Sequence, residues 1–129
     1  MDFNELFSVL QTGDETDRIE AKKAANGVGK SFLETVSALT NEPDLGGGYI
    51  LLGITKNDKN EPKYVITGVS DPDTLQNEIA GLCRQCFNIP LRPTLKVIHH
   101  SQGNILLVYI PEANAHEKPV YIKSRGLDK

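Results

Sequence analysis

The stretch Tyr49-Ile50-Leu51-Leu52-Gly53-Ile54 carries no charged side chain and does not alternate between polar and apolar residues. This pattern is typical of a central strand that is covered on both faces, because a strand with one face in water alternates. The glycines of 46–48 precede the stretch and mark the loop that leads into it. We therefore expect a sheet whose central strand lies within 49–54, with helices packed on that sheet.

Amphipathic segments predict the helices that cover this strand. One begins near Asp2, a second near Ser31, and a third at Asp71-Pro72, where an aspartate cap and a first-turn proline favour a helix start. The first is expected to end near Gln11 and the second near Asn41. Their apolar stripes are formed by Phe3, Leu6, Phe7 and Leu10, by Phe32, Val36 and Leu39, and by Leu75, Ile79, Leu82 and Cys86.

Further segments have the pattern of strands. They are 19–24, 64–68, the pair 94–100 and 104–110, and 120–123. The pair flanks a tight turn at Gln102-Gly103 and predicts a hairpin, while 64–68 is expected to be an antiparallel return strand. Together these elements predict an α+β fold, a mostly antiparallel mixed sheet with two or three packed helices, in a single domain over 1–129.

The composition is that of one folded domain and excludes a protein with an overall basic surface. The chain has 129 residues, of which 39% are hydrophobic and 24% charged, as expected of one folded domain. Its formal net charge of −3 argues against a surface coated in positive charge, so any nucleic-acid contact must be local. There is no basic leader segment and no long apolar run, and two cysteines do not require a disulfide. We expect a cytoplasmic protein without a membrane partner.

The stretch NGVGKS at 26–31 resembles the second half of a nucleotide-binding P-loop. Gly29, Lys30 and Ser31 fit the end of that motif, but Ala24 stands where its first glycine belongs. Ser31 and Glu34 also match a capping box, in which the serine oxygen accepts a helix N–H and the glutamate bonds back. Either ATP binds through Gly29 and Lys30, or the segment is a capped helix with a glycine-rich entry.

Cys83 and Cys86 form a C-x-x-C pair, with His99 and His100 further along the chain. Consecutive strand residues point to opposite faces, so the two histidines cannot easily complete one tetrahedral zinc site. We expect the cysteines to pack as small apolar groups on a helix and predict no metal site from them.

Glu20 and Lys22 are expected to share one face of the first strand. This E-x-K arrangement occurs in metal-dependent nucleases, where the carboxylate holds the metal and the lysine steadies the attacking water or the phosphate. A solvated ion pair gives the same sequence pattern. The residues alone leave both interpretations open.

Cations are concentrated at both ends of the chain. One set lies near the first strand and consists of Lys22, Lys23 and Lys30, and the other consists of Lys118, Lys123 and Arg125. If the sheet brings both sets together, they form a local patch for phosphate groups, with salt-sensitive and largely sequence-independent affinity. No aromatic stripe accompanies these cations, so base stacking is not predicted.

Several segments, in this order, resemble the Schlafen/AlbA-type DNA-binding domain. They are ETDRIEAK at 15–22, LETVSALTNEPDLGGGYILLGIT at 33–55, ITGV at 66–69 and PVYIKSRG at 119–126. The resemblance covers nearly the whole chain and implies an α+β domain involved in DNA or RNA binding. It also implies that the domain is the N-terminal part of a longer regulator or RecG-like helicase-related protein, with C-terminal domains of the same chain as partners.

The same resemblance bears on nuclease activity. In Schlafen nucleases two glutamates act with an aspartate just after the buried strand; Glu15 and Glu20 match the glutamates, but Thr55 replaces the aspartate and Asp58 is the nearest carboxylate. Two carboxylates hold Mg²⁺ less well than three, so the resemblance favours binding over cleavage. Ala21 also replaces the family's phenylalanine.

We therefore predict a nucleic-acid-binding module, with DNA the expected ligand. Its predicted contact residues are Lys22, Lys23, Lys123 and Arg125. The alternatives are a metal-dependent nuclease that uses Glu15 and Glu20, and an ATP-binding domain that uses Gly29 and Lys30. Neither Mg²⁺ nor ATP is required by the first prediction, and a homodimer would allow two copies to share one basic groove.

Overall fold

The computed structural model describes residues 1–13, 16, 18–24, 27–58 and 61–123. The helices and strands follow the chain in the order α1 (Phe3–Gly13), β1 (Ile19–Lys22), α2 (Lys30–Asn41), β2 (Gly48–Leu52), β3 (Ile54–Lys56), β4 (Tyr64–Ile66), α3 (Pro72–Gln85), β5 (Thr94–His100) and β6 (Gly103–Ile110), with a short 3₁₀ turn at Ala115–Glu117. The predicted α+β class is confirmed.

One sheet has the strand order β1-β2-β6-β5. β1 runs parallel to β2, while β2 and β5 both run antiparallel to β6. β2 and β6 are therefore the inner strands, and the predicted hairpin of 94–100 and 104–110 is confirmed as β5 and β6.

The inner strand β2 is buried on both faces, as its apolar sequence predicts. Ile50 and Leu52 belong to a core with α2 and α3, whereas Leu51 belongs to a second core with α1. All three side chains are inaccessible to solvent. Each such leucine or isoleucine contributes about 1.5–3 kcal/mol of burial free energy, so these three residues help to stabilise both cores.

The end of β2 differs from the prediction of one strand through Ile54. Gly53 has φ +103° and turns the chain, so β2 stops at Leu52 and β3 begins at Ile54. The Gly53 N–H donates to the Lys22 carbonyl at 2.9 Å, which fixes the turn beside β1. β3 then pairs with β4 in a separate antiparallel sheet, and the predicted return strand over 64–68 is confirmed for its first three residues.

Close packing of β1, β2 and α2 depends on Gly48. A Cβ atom there would lie 2.6 Å from the Arg18 carbonyl oxygen and 2.6 Å from Leu39 Cδ2. Any larger residue would therefore push α2 and β1 away from β2. Gly48 thus allows the C-terminal half of α2 and the start of β1 to lie close to β2.

Three local predictions are wrong in detail. The segment 120–123 forms no strand, and only Ile122 makes a bridge, with Phe87. On α3, Cys83 rather than Cys86 is fully buried, because the helix presents Leu75, Ile79 and Cys83 to the core. α1 begins one residue later and ends two residues later than the predicted 2–11.

Helices in the described part of the chain are all too short or too polar to cross a lipid bilayer.

Candidate functional site

The end of β1 and the first turn of α2 are joined by a polar cluster. Lys22 Nζ lies 2.7 Å from Glu20 Oε2 and donates to Ser31 Oγ at 3.0 Å. Thr35 Oγ1 also donates to Glu20 Oε2, at 3.2 Å. Glu20 and Lys22 thus share one face of the strand, as predicted, and that face is turned towards α2. We call these four residues the β1–α2 cluster.

The β1–α2 cluster is near the surface. The Lys22 side chain is 18% exposed and the Glu20 side chain 36% exposed. An ion pair with this much water contact contributes little stability, about 0–1 kcal/mol. Its main effect is geometric, because it holds the Lys22 ammonium beside the first turn of α2.

The predicted capping box at Ser31 and Glu34 is wrong. α2 begins at Lys30, its N-cap is Gly29, and no side chain caps this end of the helix. Ser31 lies inside the first turn, where its hydroxyl accepts from Lys22 instead. Reciprocal bonds of the capping-box type occur at α1 instead, where Asp2 and Glu5 each accept the other's backbone N–H at 2.9 Å.

The start of α2 therefore presents free N–H donors. The N–H groups of Phe32 and Leu33 bond to the Gly29 carbonyl, at 3.1 and 3.3 Å. The preceding amides, of Lys30 and Ser31, donate to no acceptor among the residues that the structure describes. Unpaired N–H groups at a helix start carry partial positive charge and favour anions.

Two more lysines lie near this helix start along the chain. Lys23 follows β1 directly and Lys30 opens α2, and both are exposed. Neither forms an ion pair with a described residue, in contrast to Lys22. One acidic group borders the loop, since a Cβ placed on Gly27 would lie 3.6 Å from Glu78 Oε1. The loop before α2 is thus bordered by both signs of charge, the ammonium groups of Lys23 and Lys30 and the carboxylate of Glu78.

The residues of the half P-loop occupy the same place. Ala24, which stands where the first glycine of that motif belongs, has φ +42°, a left-handed conformation that favours glycine. Gly29 and Lys30 lie at the helix start, and residues 25 and 26 are outside the described part. ATP binding through Gly29 and Lys30 stays a prediction.

The C-terminal cations are held by other elements. The Lys123 N–H donates to the Cys86 carbonyl at 2.8 Å, and its side chain is exposed. Lys118 pairs with Glu112 at 2.7 Å, which neutralises its charge. Arg125 lies outside the described residues, so its predicted convergence with Lys22 stays a prediction.

The predicted nuclease residues are only partly described. Glu15 lies outside the described residues, while Glu20 belongs to the β1–α2 cluster. Thr55, at the position of the family's aspartate, has its hydroxyl 3.0 Å from that of Thr67. Across the described ranges, His, Cys, Asp and Glu side chains form no group of three or more that could hold a metal ion.

The cysteine pair has the character of core packing. Burial, with a smaller contribution from Cys86, raises the pKa of the Cys83 thiol to about 11. Cys83 is therefore protonated at neutral pH, which makes it a poor nucleophile and a poor metal ligand.

Sequence reasoning missed an aromatic pair on the sheet. Tyr49 of β2 and Tyr109 of β6 lie directly opposite each other, with ring centroids 5.0 Å apart. They are 60 positions apart in the sequence, so no local pattern shows the pair. The only available signal is the pairing of β2 with β6.

Comparison with known proteins gives a consistent result. Residues 15–127 match the sequence profile of the family described as Schlafen, AlbA_2. A solution NMR structure of the N-terminal domain of a Nitrosomonas europaea protein, named for its relation to the ATP-dependent DNA helicase RecG, is 43% identical; the match covers 92% of this chain and 78% of that chain, with a TM-score of 0.81. The crystal structure of the DIP2311 protein from Corynebacterium diphtheriae shares the fold at 22% identity and a TM-score of 0.54, over 88% of this chain and 20% of that one. No curated protein sequence matches the chain significantly.

Proposed function

The chain belongs to the Schlafen AlbA_2 family, and on that premise we propose that it is a nucleic-acid-binding module that contacts phosphate groups at the start of α2. The observation that carries the proposal is the uncapped start of α2, with Lys30 at its first position and Lys23 directly after β1, both unpaired among the described residues. Lys22 is bonded to Ser31 at the same helix start, but its charge is paired with Glu20. Unpaired amides and flanking ammonium groups together form the kind of site that binds a phosphate.

The chemistry of this site favours the nucleic-acid backbone over the bases. Lysine ammonium groups and helix amides recognise phosphate oxygens, which carry no sequence information. The predicted contacts at Lys123 and Arg125 would extend the same backbone contact if they lie on this side of the molecule. DNA is the favoured ligand, because the 43% identical domain comes from a protein named for a DNA helicase.

The site is tested by the salt dependence of oligonucleotide binding, measured by fluorescence anisotropy. Each phosphate contact contributes about 0.9 to the slope of log affinity against log salt for duplex DNA. We expect a Lys23→Ala/Lys30→Ala variant to bind more weakly and to have a slope smaller in magnitude by about 2.

A matched control removes the same charge elsewhere. Lys63→Ala/Arg92→Ala lowers the net charge equally, but neither residue lies at the start of α2. If the control variant loses as much affinity and slope as Lys23→Ala/Lys30→Ala, the binding is due to overall charge and the proposed site is wrong.

A second candidate function is metal-dependent cleavage, favoured by the 2.7 Å pairing of Glu20 with Lys22. In that case Glu20, with Glu15, would hold Mg²⁺ and Lys22 would steady the phosphate. Mg²⁺- or Mn²⁺-dependent cleavage of a labelled strand, abolished in Glu20→Gln, would establish it. Intact strand after long incubation with either metal would rule it out.

ATP binding at Gly29 and Lys30 is a weaker proposal, because the Glu78 carboxylate borders the loop where the phosphates would lie. A cytoplasmic location, a homodimer and C-terminal domains in the same chain belong with the proposed role in a regulator or helicase-related protein. Calorimetric titration with ATP and Mg²⁺ tests the nucleotide, and heat lost in Lys30→Ala would support it.

A further inference from the structure

The sheet face that carries α1 is covered over only part of its area. Phe3, Leu6 and Leu10 of α1 pack on Leu51 and on inner residues of β6. Tyr49 and Tyr109 lie on this same face, at the end of the sheet where β2 starts and β6 ends. Both tyrosines remain partly exposed there.

A shallow groove of about 260 Å³ opens over these rings. It is lined by Met1, Tyr49, Thr94, Lys96, Leu107 and Tyr109. Pockets for drug-sized ligands measure about 300–1,000 Å³, so this groove suits a single planar group rather than a larger molecule. We call it the tyrosine groove.

The tyrosine rings are held in place. The Tyr109 hydroxyl donates to the Gly46 carbonyl, and the Met1 amino group lies 3.4 Å from the Tyr49 hydroxyl. The rings tilt by 49° with centroids 5.0 Å apart, and both line the groove. A fixed ring loses little entropy when another ring stacks on it.

Charge at the groove favours an anionic ligand. Lys96 is exposed, and its ammonium makes no ion pair with any residue in the described ranges. Of the acidic residues nearest in sequence to the lining residues, Asp2 and Glu5 bond to backbone N–H groups at the start of α1, and Glu112 pairs with Lys118.

From these observations we propose that the tyrosine groove binds an unpaired base of a single-stranded nucleic acid, with Lys96 on the adjacent phosphate. Four-stranded sheets that present aromatic rings stack bases in this way, and a base within a duplex cannot reach such a ring. The inference rests on the proposed function for the ligand class, but it uses the opposite face of the sheet and different residues.

The test compares two labelled probes of equal length, a thymidine oligonucleotide and the same backbone without bases. A Tyr49→Leu/Tyr109→Leu variant keeps apolar volume but removes both rings. We expect it to bind the thymidine probe about 5- to 100-fold more weakly than the wild-type chain does, and the abasic probe equally well. Tyr121→Leu is the matched control, because Tyr121 is 55% exposed on a different segment.

The outcomes separate this inference from the proposed function. Lys23→Ala/Lys30→Ala should lower the affinity for both probes, since it removes phosphate contacts. The tyrosine variant should lower the affinity only for the probe with bases. If the wild-type chain binds both probes with equal affinity, the groove does not stack bases and the inference fails alone. If it binds neither probe but still binds duplex DNA, the inference fails alone, and if it binds no duplex either, both proposals fail. A tyrosine variant that changes only the oligomeric state would make the groove a self-association surface and overturn the inference.

If the Tyr49→Leu/Tyr109→Leu variant does not fold, it will show no cooperative thermal unfolding transition. Lys96→Ala then provides the independent test, because an exposed lysine can be removed without loss of packing. We expect it to weaken the thymidine probe about twofold or more and to lower the salt slope for single strands by about 0.7. An unchanged slope would contradict the phosphate contact.

Discussion

Helices α2 and α3 pack on the same face of the sheet, yet their first turns are built in opposite ways. At α3, Asp71 accepts the Thr74 N–H at 3.1 Å and the Thr74 hydroxyl at 2.7 Å, and Pro72 removes another donor. At α2, Gly29 contributes no side chain and no cap is present.

The difference indicates which helix start is available to a ligand. Every helix start has N–H groups that need an acceptor. α3 satisfies one of them with a carboxylate from its own chain, which stabilises the helix and excludes an outside anion. α2 keeps donors open and has cations near them, so this helix start is the one open to an anion from outside the chain.

The most direct test of this difference is to give α2 a side-chain N-cap of the kind that α3 has. Gly29 has φ −131°, which any residue adopts, and a Cβ there would meet nothing within 4 Å. We expect Gly29→Asp to weaken oligonucleotide binding about three- to tenfold, because its carboxylate occupies the amides and repels phosphate. The melting temperature should not fall, since aspartate is at least as good an N-cap as glycine.

Two controls at this position separate the causes. Gly29→Ser supplies an acceptor without charge, and Gly29→Ala supplies neither. Binding should decrease in the order Ala, Ser, Asp. If Gly29→Asp binds the oligonucleotide as tightly as the wild-type chain, the start of α2 is not the phosphate site.

The reverse change removes the cap of α3. We expect Asp71→Ala to lower the melting temperature by about 2–6 °C, because the Thr74 N–H loses its acceptor. Oligonucleotide binding should be unchanged. Asp73→Ala is the matched control, since it removes an equal charge from the same turn without removing the cap. An equal decrease in the melting temperature of both variants would show that charge near the helix start, rather than the cap, stabilises α3.

The same cap predicts a pH dependence. Hydrogen bonds from the Thr74 hydroxyl and N–H hold the pKa of Asp71 below its ordinary value of 3.8. A lowered pKa in the folded state means that the stabilisation is complete above the unfolded pKa and is lost as pH falls through the folded one. The melting difference between the wild-type chain and Asp71→Ala should therefore be constant from pH 7 to about pH 5 and shrink below about pH 4. A difference that does not begin to shrink as the pH falls below about 4 would contradict the ionised cap.

Elements whose signal is local could be predicted from the sequence. The apolar run of β2, the amphipathic stripes of the helices, the hairpin of β5 and β6 and the cap at Asp71 depend on residues that are neighbours along the chain. Predictions failed where a residue distant in sequence replaces the local hydrogen-bond partner. Ser31 and Glu34 have the spacing of a capping box, but Lys22 donates to Ser31 from β1, and the N-cap is Gly29, two residues earlier than predicted.

The candidate site was predictable only in its composition. The sequence places Lys22, Lys23 and Lys30 near the first strand and the glycine loop, and Glu20 on the same strand face as Lys22. It does not reveal that the start of α2 is open, because that depends on which residue is the N-cap. The tyrosine groove was equally hidden, since it requires the pairing of β2 with β6.

The smallest expected effect is also the sharpest check on the comparison. In Ser31→Ala, Lys22 loses its bond to the hydroxyl but keeps the Glu20 carboxylate at 2.7 Å, so we expect the melting temperature to change by no more than about 2 °C. Differential scanning calorimetry of Ser31→Ala and Asp71→Ala side by side measures the two helix starts on one scale. A loss in Ser31→Ala as large as that in Asp71→Ala would mean that α2 is capped by its own serine. The amides would then be occupied in the free protein, and a phosphate would have to displace a side chain to reach them.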